Sequence, residues 1–447
     1  MNPHAPAPEA RPRRAGRAMR SAVAALALGA VMFTVGALGL SPGDGGRKPA
    51  VGPAAPVPAR GSIEALRARV KHLPQDSAAW AALGMAYVQQ ARTTPDPATY
   101  LRAQQALERS LAVQRDGNAN AEIAMGALAA ARHDFPIALT WARRATTTAP
   151  YSPVAYGVLA DAYTQLGRYE DSYTAVQRMN DLRPDASALA RASYTFELRG
   201  NTARARELMQ RSLTAAATPG EQSFARACLS ALDLQDGDAR GALEQAAQGL
   251  RSAPQDSALL EARARARFAL GDTHGAVRDY EAAIAIAPLP HYLLGLGELQ
   301  QSLGHQAEAD AQYDVLRAQD ALRRTGNNPP DTDAILFEAD HGRPEQAAAM
   351  GQEALHARPF IAIHDAYAWA LHQAGQDQQA LDQADQDLAL GTHSALFHYH
   401  RAVIHQALGD DTEARADLRT ALRLDPHFHP LHAPAARALL LRIGTTS

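Results

Sequence analysis

One cysteine, Cys228, stands in the whole chain of 447 residues. It can close no intrachain disulfide and no CxxC-type zinc site, so a small core residue is its simplest role. Lysine is almost missing: Lys48 and Lys71 are the only two, and arginine supplies every other basic side chain. Aromatic residues make up only 6%. The sequence holds no G-x-S-x-G elbow, no H-E-x-x-H pair, no phosphate loop and no calcium loop. The stretch "DLQDGDARG" (233–241) has three aspartates but no closing glutamate, and a turn between helices accounts for it better. No catalytic residue and no cofactor can therefore be assigned, and the reading is of a protein that is not an enzyme. Net charge is −3, yet residues 1–60 sit near +6, which leaves the remainder near −9. A mildly acidic body lacks the basic face that a nucleic-acid partner requires.

What is present is dominated by alanine, leucine and arginine, a helix-forming mixture. The first segment, 1–20, is basic, with five arginines in "RPRRAGRAMR". Next comes "SAVAALALGAVMFTVGALGL" (21–40), twenty uncharged and mostly apolar residues. At about 1.5 Å per residue such a helix spans a bilayer. The arginines before it keep the N-terminus cytoplasmic by the positive-inside rule and place everything after residue 40 outside. A cleaved signal peptide is the alternative. The length of the apolar run, and the lack of an A-x-A site to close it, favour an uncleaved anchor. The Pro/Gly-rich stretch 41–61 reads as an extended tether. The expected location is thus the cell membrane, single-pass through 21–40 with the body extracytoplasmic; secretion after cleavage is the alternative.

The body repeats. Glycines that end helical stretches fall at Gly167, Gly200, Gly237, Gly271, Gly304, Gly342, Gly375 and Gly409, spaced 33 to 38 apart. A small residue lies five places after each: Ser172, Ala205, Ala242, Ala276, Ala309, Ala347, Ala380 and Ala414. Pro150 and Pro184 are 34 apart, as are Pro254 and Pro288. Glycine supplies the positive φ that ends one helix. The small residue lets the next helix approach, and proline blocks its continuation. In 270–288 the apolar face is Ala276, Val277, Tyr280, Ala283 and Ile284, at helical spacing. A helical hairpin of this kind cannot bury its own face and must stack on another.

At these positions the chain resembles the tetratricopeptide repeat (TPR) family. The best unit is Tyr156, Leu159, Ala160, Tyr163, then Gly167, Ser172, Val176, Met179 and Pro184. The first unit shows Trp80, Leu83, Gly84 and Tyr87; its second helix, with Ala103, Leu107 and Ser110, follows an inserted "TTPDPAT" (93–99). Another unit carries Met125, Gly126, Ala138, Ala145 and Pro150. About ten units fit between roughly 74 and 426. The resemblance implies an all-α, right-handed superhelical solenoid of about ten hairpins, preceded by the transmembrane or signal helix. Its parts are 62–322 and 329–429, with slack at 215–222 and 324–333, and a capping helix over 430–443. Around 331–359 the match is poorest and the register stays open.

The resemblance also implies a concave groove, lined by first helices, that holds a protein or peptide partner. Candidate groove residues are Asp161, Tyr194, Glu197, Glu261, Arg265, Phe268, Glu298, Trp369, His372 and Tyr399. Alternate arginines in "EARARARF" (261–268) point in different directions, so that run is a solvated helix face and not one basic patch. The TPR subset that grips a C-terminal carboxylate with lysines has only Lys71 to draw on here. Eleven of the seventeen histidines lie within 341–432. His398 and His405 fall at packing positions. His427, His429 and His432, at the start of the cap, are candidate ligands for zinc, copper or nickel. The sequence is read first as a membrane-tethered, non-enzymatic scaffold for protein–protein interaction. A metal-handling accessory protein using those histidines is the alternative. The cap argues for a monomeric array.

Overall fold

The computed structural model of the chain describes residues 62–93, 98–325 and 329–444, which form twenty-two helices and no strand. Helix α1 (Ile63–His72) comes first and buries Val70. Ten helical hairpins follow. They are α2 (Ser77–Thr93) with α3 (Ala98–Val113), α4 (Ala119–Ala131) with α5 (Phe135–Thr148), α6 (Pro153–Gln165) with α7 (Tyr169–Leu182), α8 (Ala186–Glu197) with α9 (Thr202–Ala215), and α10 (Pro219–Gln235) with α11 (Ala239–Ser252). Then come α12 (Ser257–Ala269) with α13 (Thr273–Ile286), α14 (Pro290–Ser302) with α15 (Gln306–Thr325), α16 (Thr332–His341) with α17 (Pro344–Ala357), α18 (Ile361–Gln373) with α19 (Asp377–Leu388), and α20 (Ala395–Ala407) with α21 (Asp411–Leu424). The last helix, α22 (His432–Gly444), buries Ala436, Leu439 and Ile443 against the preceding hairpins as a cap.

The hairpin turn is written in two adjacent residues. Gly271 has φ +82° and ends α12. The N–H of the next residue, Asp272, donates back to the Arg267 carbonyl at 2.9 Å, and its carboxylate accepts the Gly275 N–H at 2.9 Å. One residue thus closes the first helix with its backbone and caps the second with its side chain. Asp238, Asp410 and Asn201 do the same after Gly237, Gly409 and Gly200. The small residues five places on are all buried, so second helices sit close against first ones. Gly342 departs from the expectation: its φ is −132°, and the Arg343 N–H donates to the Glu338 carboxylate instead.

The solenoid is wound tightly enough for its successive turns to touch. The Ile361 N–H donates to the Tyr169 hydroxyl oxygen at 2.9 Å across 192 residues. The Thr392 hydroxyl donates to the Leu198 carbonyl at 2.6 Å across 194 residues. Arg358, only 2% exposed, reaches Gln165 Oε1 at 3.4 Å and His133 Nδ1 at 3.3 Å. Hairpin turns in the first half therefore rest on the loops between hairpins five to six units later.

The membrane localisation expected from the sequence is corrected here. Among the described residues no helix is long and apolar enough to cross a membrane. The basic segment, the span expected at 21–40 and the tether to 61 lie outside the described residues.

Candidate partner-binding face

The ten candidate residues all stand on first helices of the hairpins, and they meet two different fates. On α6, Asp161 is taken up by packing. Arg191 of α8 donates to both of its oxygens, at 2.8 and 2.6 Å, and both side chains are buried. On α8, Tyr194 is half-buried, and Glu197 accepts from Gln235 Nε2 of α10 at 3.0 Å. Burial raises the pKa of both; Glu197 adds to the rise at Tyr194, and Gln235 opposes it at Glu197. On α12, Glu261 and Arg265 stand 3.8 Å apart, with half-buried Phe268 one turn on. Arg265 keeps 45% of its side chain open, and it is the one residue of the ten classed as exposed. Burial acts to lower its pKa, but Glu261, Tyr280 and Asp425 outweigh this and raise it.

Further along, the inner face is covered by the chain itself. Glu298 of α14 is buried, and its Oε2 lies 3.0 Å from His429 Nε2. Its Oε1 is 3.6 Å from His341 Nε2 of α16. Burial pushes the Glu298 carboxyl up, but His429, His341 and His432 outweigh it and pull the pKa down to about 2. The backbone N–H groups of Leu431 and His432 both donate to His429 Nδ1, at 3.2 Å each. Nε2 is then the nitrogen whose proton Glu298 accepts. Burial lowers the His429 pKa, and Glu298 and Asp340 reverse the shift and raise it.

The next three first helices complete the covered wall. Trp369 of α18 is 3% exposed, donates from Nε1 to Asp340 Oδ1 at 2.8 Å, and stacks on His400 with centroids 4.3 Å apart. His400 Nδ1 pairs with Asp365 at 2.7 Å in the core. Tyr399 of α20 is buried, with His432 at 4.9 Å and Phe428 at 5.7 Å between ring centroids; burial, and then Asp340, push its hydroxyl up to about 12. His372 pairs with Asp377 Oδ1 at 2.6 Å.

The cap histidines do not converge on one point. His427 is exposed, His429 faces Glu298, and His432 stacks on His429 at 4.2 Å while pointing toward Asp340 at 3.8 Å. Among the described residues no group of three or more His, Cys, Asp or Glu side chains is placed to hold a metal ion. Asp340, His341 and His400 are residues of this wall that sequence reasoning missed. Their partners, Trp369, Glu298 and Asp365, come from the neighbouring hairpins, and no spacing within one unit marks them.

A family model described as tetratricopeptide repeat matches residues 395–428, which span α20, α21 and the start of the covering segment. No curated protein matches the chain. Among solved structures, a tetratricopeptide repeat protein from Parabacteroides merdae is similar at 18% identity, over 58% of this chain and 98% of that one, with a TM-score of 0.34. The human IFIT1 dimer is similar at 12% identity, over 81% and 85%, with a TM-score of 0.46. Yeast Tom70 is similar at 11% identity, over 86% and 93%, with a TM-score of 0.38.

Proposed function

We propose that this chain, whose residues 395–428 match a tetratricopeptide repeat model, is a non-enzymatic scaffold that holds a protein or peptide partner on its inner face. The observation that carries this reading is the open stretch on α8 and α12. Arg265 of α12 is exposed there, with Glu261 at 3.8 Å and half-buried Phe268 one turn on, and α8 adds half-buried Tyr194 and Glu197. An arginine beside aromatic and acidic groups on a rigid helical wall suits recognition of a peptide or partner helix. Glu298, Trp369 and Tyr399 serve the interior contacts described above, so the open part of the face is shorter than the ten candidates suggest.

A pull-down with the full chain from extracts of its own cell, read by mass spectrometry, tests this. Arg265→Glu and Phe268→Ala should each lose a reproducible partner while the helical circular dichroism and melting temperature hold. Elemental analysis of the same sample addresses the metal-handling alternative. Near-stoichiometric transition metal, lost when His427, His429 and His432 are replaced, together with no captured protein, would turn the conclusion to that alternative.

A further inference from the structure

The segment 425–432, "DPHFHPLH", lies along four consecutive first helices. His429 meets Glu298 of α14, His432 faces Asp340 of α16 and Trp369 of α18, and Phe428 meets Tyr399 of α20. On such a solenoid this is the wall that a bound peptide would run along. We infer that residues 425–432 are an internal occupant of the partner groove, and that a partner enters by displacing them with a segment of the same chemistry: a histidine or other cationic donor next to an aromatic side chain. This rests on the inner face being the partner surface, and it names both the partner's chemistry and how access is controlled.

Three observations support displacement over a permanent core role. First, the backbone hydrogen bonds of the segment are local. The Asp425 N–H reaches Ala421, the Ala433 and Ala435 N–H groups return to His429 and Leu431, and Arg437 holds the Pro426 carbonyl at 2.7 Å. Side chains make the ties to the wall. Second, Pro426 and Pro430 keep residues 425–431 outside α21 and α22, and α22, which begins at His432, is anchored separately by Ala433, Ala436, Leu439 and Ile443. The segment can leave while the cap stays. Third, the wall is acidic at Glu298 of α14 and Asp340 of α16 and aromatic at Trp369 of α18 and Tyr399 of α20, so charge and ring chemistry select the occupant. His432 Nδ1 is buried without a hydrogen-bond partner among the described residues, which leaves one contact of the internal occupant imperfect.

The test uses a fluorescein-labelled peptide copying residues 424–434 and the full chain. In an opened variant, Phe428→Ser with His429→Ser and His432→Ser, the peptide should bind at least tenfold more tightly than to wild type, by fluorescence anisotropy. Glu298→Gln in that background should weaken it at least tenfold, as should a peptide with glutamate in place of the histidine matching His429. Equal binding to wild type and opened variant overturns the inference. Hydrogen exchange on wild type decides the matter if the variant does not fold. The amides of His427, Phe428 and His429 should exchange well ahead of α20 and α22; exchange only with global unfolding overturns the inference. The two readings fail separately. Peptide binding to the opened variant, with no protein captured by either form, removes the scaffold reading and keeps the internal occupant. Equal protein capture by both forms, with no peptide binding, does the reverse.

Discussion

Asp387 sits at 0% exposure in the C-terminal core, and neither of its carboxylate oxygens has a hydrogen-bond partner among the described residues. Burial raises its pKa well above the usual range; Asp365 adds to this, Arg401 opposes, and Asp385 and Asp417 add again. A carboxyl raised in the fold supports stability below the ordinary aspartate pKa of about 4, and that support is lost as pH rises through the folded value. Asp387→Asn should therefore stabilise the protein at neutral pH by about 1–3 kcal/mol. The gain should fade as pH drops toward about 4. Melting curves across that range check it, and a destabilised variant at neutral pH counts against it. The turn glycines offer a second residue-scale comparison. Gly271 and Gly200 both have positive φ, at +82° and +69°. A Cβ on Gly271 meets nothing within 4 Å, whereas one on Gly200 would lie 2.1 Å from the Gly391 carbonyl oxygen. Gly271→Ala should cost about 1–2 kcal/mol from backbone conformation alone. Gly200→Ala should cost clearly more, because it also pries apart two turns of the solenoid. Parallel urea titrations would show equal losses if that approach carried no energy.

At the scale of elements, stacking between neighbouring hairpins is apolar with buried polar braces set into it. Arg191 of α8 reaches back to Asp161 of α6 with two charge-assisted bonds and also donates to Ser187 Oγ at 2.6 Å. Such a pair adds little over a good apolar fit, but stranding one member is severe. Asp161→Ala should cost about 3–5 kcal/mol. Replacing the pair as Asp161→Leu with Arg191→Met should cost markedly less, and a double-mutant cycle by chemical denaturation measures the difference. Hairpin existence was legible in sequence for a local reason. The glycine, the capping residue after it and the small residue five places on all act within one turn, so their spacing survives in the primary structure. The groove assignment was only partly legible. Asp161 looks like an exposed acid on a first helix, and nothing within its own unit reveals Arg191 waiting on the next.

Whole solenoids behave as nearly one-dimensional arrays in which each repeat feels only its neighbours. The contacts of Tyr169 with Ile361 and of Leu198 with Thr392 add a second direction. Unfolding should accordingly be more cooperative than a chain of nearest neighbours allows. Tyr169→Phe combined with Thr392→Val removes the hydroxyls at both contacts while keeping side-chain shape. We expect the denaturation curve to broaden or split into separate transitions for the two halves, with lower hydrogen-exchange protection at the touching turns. An unchanged single sharp transition would show that the seam contributes nothing to cooperativity.

By itself the sequence determined the hairpin, its period, the cap and the resemblance to a repeat family, because each rests on backbone conformation and packing within about 34 residues. Only the tertiary structure decided which inner-face residues remain open. Winding is the sum of many small rotations between hairpins, and no single unit encodes that sum. Its outcome brings Glu298 under His429 and buries Trp369 and Tyr399, while Arg265 keeps part of its side chain exposed.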